Sequence, residues 1–106
     1  MNKIYKYELS ITDFQFINLP RNAVILHVGE QGDAQLYLWA LVVPERHIEK
    51  RVIRIVGTGH PLEDDISDET HLGTVQMSNG LVWHVFEIPG HYLGEQSHEH
   101  TSAVQA

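Results

Sequence analysis

The residue types and spacing that could do chemistry are densest at Gly57-Thr58-Gly59-His60-Pro61, with Arg54 three residues before it. Glycines one residue apart can take positive φ, or let a ligand reach the backbone without a Cβ in the way. Thr58 brings a hydroxyl, and His60 a ring that can stack, donate or accept. Pro61 fixes its own φ and pushes His60 into an extended conformation. Arg54 can hold a phosphate or stack on a planar ring. The set suits a small anion, with donors from Arg54, Thr58, His60 and the loop amides. Trp39 and Trp83 extend it, because an indole can stack on a base for about 1–3 kcal/mol. The plainer reading is a strand exit turned by its glycines, with two core tryptophans. The candidate ligand-binding residues are thus Arg54, Gly57, Thr58, Gly59, His60, Pro61, Trp39 and Trp83.

Other chemistries find less support. There is no cysteine, which removes disulfides, thiolate zinc sites and a cysteine nucleophile. His91, His98 and His100 cluster near the C-terminus, in a polar stretch that offers no preorganised metal geometry. Glu63, Asp64, Asp65, Asp68 and Glu69 do not match a calcium loop and read as a solvated acidic segment. No metal, cofactor or catalytic residue is therefore expected. His84 lies between Val82 and Phe86, and His27 in a similar run; both read as hydrogen-bonded core histidines. A small hydrolase or phosphodiesterase using His60 and His84 remains the alternative, although no serine elbow or phosphate-binding loop with lysine is present. The third class is a protein-binding inhibitor or structural accessory without a small-molecule site.

Charge narrows the partners. All seven Lys and Arg precede Thr58, whereas eight of the fourteen acids follow it, and the net charge is −7. No basic stripe exists to neutralise DNA or RNA phosphates. The N-terminal residues lack the apolar core of a secretory signal, and no apolar run approaches membrane-spanning length. A cytoplasmic protein is expected.

The elements that must position these residues are strands. Tyr5, Tyr7 and Leu9 alternate with Lys6 and Glu8 over residues 3–9. Thr12 is placed to cap a short helical turn through Phe16, stopped at Leu19-Pro20. Residues 23–28 and 34–43 form a hairpin around Gly29–Asp33. Residues 34–43 are apolar on both faces, so they form a central strand covered by a second sheet or by a subunit. After a charged connection over 45–50, residues 51–56 run into the glycine loop. Residues 71–77 and 81–88 flank Ser78-Asn79-Gly80, a hairpin signal. The expectation is a mainly β fold: a small antiparallel β-sandwich or barrel of about six strands with little helix. It occupies residues 1–94, followed by a flexible tail over 95–106. Apolar faces around Trp39 or Trp83 argue for a homo-oligomer, a dimer or tetramer.

Five segments carry a resemblance: Ile4-Tyr5-Lys6-Tyr7-Glu8-Leu9, Leu38-Trp39-Ala40-Leu41-Val42, Gly57-Thr58-Gly59-His60-Pro61, Gly73-Thr74-Val75-Gln76 and Leu81-Val82-Trp83-His84-Val85-Phe86-Glu87. Together they resemble a widespread family of small, uncharacterised bacteriophage proteins over residues 3–88. Val43 departs from the pattern, where an Asp before the proline is common. The resemblance implies a phage protein acting in the cytoplasm of an infected host. Small phage proteins without catalytic motifs often counter host defence. One such class is the oligomeric sponge, which binds a cyclic-nucleotide signal without cleaving it. The expected function is accordingly sequestration of a cyclic oligonucleotide or other small anionic ligand, without catalysis.

Overall fold

The computed structural model describes residues 1–62 and 65–89. Seven strands follow in order: β1 (Lys3–Leu9), β2 (Phe14–Pro20), β3 (Val24–Glu30), β4 (Leu36–Val42), β5 (Ile48–Gly57), β6 (Thr70–Gln76) and β7 (Val82–Ile88). There is no helix among the described residues. The expected tail over 95–106 and His91, His98 and His100 lie outside them, as do Glu63 and Asp64 of the acidic segment.

The strands form two sheets with every neighbouring pair antiparallel: β1-β4-β3 and β2-β5-β7-β6. The mainly β sandwich is as expected, with one strand more than the sequence pattern suggested. The extra strand is β2, where a helical turn was expected. Ile17 and Leu19 are buried in the core while Phe14 is exposed, an alternation of period two that a helix cannot satisfy. Thr12 caps no helix; its hydroxyl donates to the Phe14 carbonyl at 3.2 Å. Pro20 ends an edge strand, where its missing N–H costs no ladder bond. The charged connection is also shorter than expected, because β5 already begins at Ile48.

The core lies between the sheets. Tyr7 and Leu9 of β1, Leu36, Leu38, Ala40 and Val42 of β4, Ile53 and Ile55 of β5 and Val85 of β7 meet there. β4 and β7 are each central in their sheets, which explains why neither has a purely polar face. One side of the sandwich is closed where β3 approaches β6: a Cβ on Gly73 would stand 2.6 Å from Val28 Cγ2. Glu30 tightens that side by accepting from the Ser78 backbone N–H at 2.8 Å and the Ser78 hydroxyl at 2.6 Å. At the interior's edge, Arg51 donates to both Glu87 carboxylate oxygens, at 2.6 and 2.9 Å, and to the Ala23 carbonyl at 2.6 Å. That bond ties the four-stranded sheet to the residue just before β3 of the other.

Candidate functional site

Register places the site on the outer face of the four-stranded sheet. Phe14, Arg54, Phe86 and His71 stand in one row across β2, β5, β7 and β6. The Arg54 guanidinium lies 4.5 Å from the Phe14 ring centroid, and the rings of His71 and Phe86 are 5.2 Å apart. Val56, His84 and Thr74 form the next row. The segment after β5 folds back over this face, and Glu69 pairs with Arg54 at 3.2 Å. Both partners are almost fully buried, so the pair anchors the returning segment.

Beyond β5, the chain turns at Thr58 and Gly59. The His60 backbone N–H donates to the Gly57 carbonyl at 3.1 Å, and Gly59 takes φ of 83°, which any side chain would resist. A cleft of about 220 Å³ opens beside this turn, lined by Asp13, Phe14, Arg54, Ile55, Val56, His60, Pro61 and Leu62. Phe14, Val56, Pro61 and Leu62 bring apolar surface to it and Arg54, His60 and Asp13 polar groups, so its exposed lining is more polar than apolar.

From the turn a chain of side-chain hydrogen bonds runs across β7 to β6. Thr58 Oγ1 and His84 Nε2 are 2.7 Å apart, His84 Nδ1 and Thr74 Oγ1 2.9 Å, and Thr74 Oγ1 and His71 Nε2 3.1 Å. A neutral imidazole has one donor and one acceptor, and a hydroxyl can rotate to match either. If Thr58 donates to His84 Nε2, then Nδ1–H donates to Thr74 and Thr74 donates to His71. With all polarities reversed, Thr58 turns its O–H outward. Either arrangement satisfies every member, so Thr58 can meet a ligand as acceptor or donor. Three of the five segments that carry the family resemblance supply this chain: Thr58, Thr74 and His84 come from one each.

The structure gathers part of the expected site and disperses the rest. Arg54, His60 and Pro61 line one cleft, and Thr58 and Gly59 lie in the turn that leads to His60, outside its lining. Gly57 points inward, where its missing Cβ makes room for Trp83; an added Cβ would stand 3.2 Å from the indole. Trp83 itself packs on the core. Trp39 is on the outer face of the other sheet, with its ring 5.6 Å from that of His27 and 6.0 Å from that of Tyr37. Neither indole lines the cleft. His84 is hydrogen-bonded as expected but only half-buried, whereas His27 is exposed rather than part of the core.

Sequence reasoning missed Phe14 and Asp13, because the strand that carries Phe14 was read as a helical turn. It also missed Thr74 and His71. Period two places Thr74 and His84 on outward faces, but only the β6–β7 register sets them side by side. Glu69 pairs with Arg54 rather than standing as one acid of a solvated run, and nothing in the sequence signals that pairing.

No curated protein and no solved structure matches the chain. A family model described as a domain of unknown function matches residues 1–93, and the chain belongs to that family, DUF7352.

Proposed function

We propose that this protein is a non-catalytic binding protein that sequesters a small nucleotide, in the manner of a phage-encoded sponge for a cyclic oligonucleotide immune signal in an infected host cell. The observation that carries the reading is the cleft itself: Arg54, His60 and Pro61, nominated by residue chemistry, line it together with Phe14. Phe14, Val56, Pro61 and Leu62 offer apolar surface to a base, while His60 in the cleft and Thr58 on the adjoining turn offer donors to a phosphate. At about 220 Å³ the cleft is smaller than the roughly 300–1,000 Å³ that encloses a drug-sized ligand. It holds one base or one corner of a cyclic dinucleotide, with the remainder lying along the rim. Arg54 serves as a wall stacked on Phe14, its charge already balanced by Glu69. The charge of −7 opposes long-range attraction of an anion, so affinity must come from contact within the cleft.

The hydrolase reading has one observation in its favour. A threonine hydroxyl 2.7 Å from an imidazole nitrogen has nucleophile-and-base geometry. The group on the other ring nitrogen is a hydroxyl, however, and not a carboxylate that would stabilise the imidazolium. Sequestration is therefore preferred. Calorimetry with a panel of cyclic di- and trinucleotides, followed by denaturation and chromatography, tests both readings. The expected result is a member binding below about 10 μM, or −6.8 kcal/mol, and recovered intact. Recovery of a cleaved product would support hydrolysis instead. Absence of binding across the panel would leave the protein-binding class.

A further inference from the structure

The two sheets differ in what covers their outer faces. On the four-stranded sheet, Val52, Val56 and Ile88 are buried within the chain. On the three-stranded sheet, Ile4, Leu41 and Val24 form one row across β1, β4 and β3. Ile4 is 58% and Val24 54% exposed. A register shift between Ile25 and His27 turns Leu26 outward as well, 48% exposed. Trp39 and Tyr37 continue this surface along β4, flanked by Lys6, whose ammonium sits 4.5 Å from the Tyr37 ring centroid.

We propose that this face is a homodimer interface, closed by a second copy of the chain related by a two-fold axis. The occupant follows from charge. The molecule carries −7, so two copies repel wherever acids dominate. The outward β1 positions on this face pair Lys6 with Glu8, and β3 and β4 add no fixed charge to it. Like molecules can therefore meet here without the repulsion they meet elsewhere. A two-fold contact also sets the Ile4–Leu41–Val24 row of one protomer against the apolar face of the other, the self-complementarity an isologous interface requires. Three seven-residue strands cover roughly 24 by 14 Å. Counted on both protomers that is roughly 700 Å², below the about 1,200 Å² of a stable interface, so the dimer is weak and concentration-dependent. This inference is independent of the ligand reading, which concerns the opposite sheet.

Sedimentation of the full chain across a concentration series tests it, to about 500 μM, well above a micromolar dissociation constant. The expected mass rises from the 12.1 kDa of one chain toward twice that value. Ile4→Glu and Val24→Glu should each hold the mass at one chain, with unchanged circular dichroism because both positions are exposed. Ile48→Glu, equally exposed but on β5, should leave dimerisation intact. A wild-type mass that stays at one chain throughout overturns the proposal. So does dimerisation that survives both the Ile4 and the Val24 substitution, or that Ile48→Glu abolishes equally.

Discussion

Tyr7 has no exposed surface, and its hydroxyl finds no hydrogen-bond partner among the described residues. An unmade buried hydrogen bond costs about 1–3 kcal/mol. Tyr7→Phe removes the hydroxyl and keeps the ring, so it should leave stability unchanged or raise it by about 1 kcal/mol in urea unfolding. Burial, with Tyr5 close by, also pushes the Tyr7 phenol above its ordinary value. The unfolded chain then ionises before the native one as pH rises. The contribution is fully present below the ordinary tyrosine range and is lost as pH climbs through the raised native value. Tyr7→Phe should accordingly flatten the alkaline fall in melting temperature; an equal fall in both proteins would show that another group controls it. The inward direction of Tyr7 was legible, because Tyr5, Tyr7 and Leu9 alternate with charged residues. Its missing partner was not, since that depends on what the second sheet brings opposite. The same limit applies to His84: its face could be read from alternation, but not the identity of the hydroxyls on its two nitrogens.

The two sheets come together where β3 approaches β6. Gly73 faces Val28 there without room for a methyl group. Gly73→Ala should destabilise the fold by about 1–3 kcal/mol, as overpacking does. Val28→Ala in the same chain should return part of that loss, because the two sites share one space. Additive losses in the double variant would mean the strain lies elsewhere. Glu30 and Ser78 fasten the same side. The Ser78 hydroxyl first, then the Ser78 and Ala34 backbone N–H groups, hold the Glu30 carboxyl below its usual range. A depressed carboxyl contributes stability above its unfolded value, about 4.3, which is lost as pH falls through the native one. The stability gap between wild type and Glu30→Gln should therefore be widest near neutrality and close in acid, as chemical denaturation at several pH values can measure. At this scale, hairpins were easy to read from Gly29–Asp33 and Ser78-Asn79-Gly80. β2 was not, because Thr12 and Leu19-Pro20 imitate helix start and stop signals. The alternation of Ile17 and Leu19 with Phe16 and Asn18 was the signal that should have outweighed them. Beyond those two hairpin pairs, strand neighbours were not legible, since β1–β4, β2–β5 and β5–β7 join distant segments.

As a whole, the molecule keeps its two candidate surfaces apart, a polar cleft on one sheet and an apolar face on the other. That separation explains why Trp39 could not share a site with Arg54: the core lies between them. It also changes which substitution probes binding. Arg54→Ala breaks a buried ion pair, a loss of about 3–5 kcal/mol that would confuse folding with affinity. His60 and Thr58 are both exposed on the turn, so each can be changed with the core intact. The most direct measurement is titration calorimetry of wild type, His60→Ala and Thr58→Val against the cyclic di- and trinucleotide panel. The account predicts that one member binds wild type below about 10 μM, and that His60→Ala weakens it by about tenfold or more, some 1.4 kcal/mol. Thr58→Val should weaken it less, and both variants should keep a cooperative thermal transition. A panel in which nothing binds wild type, or a ligand held equally by all three proteins, would contradict it.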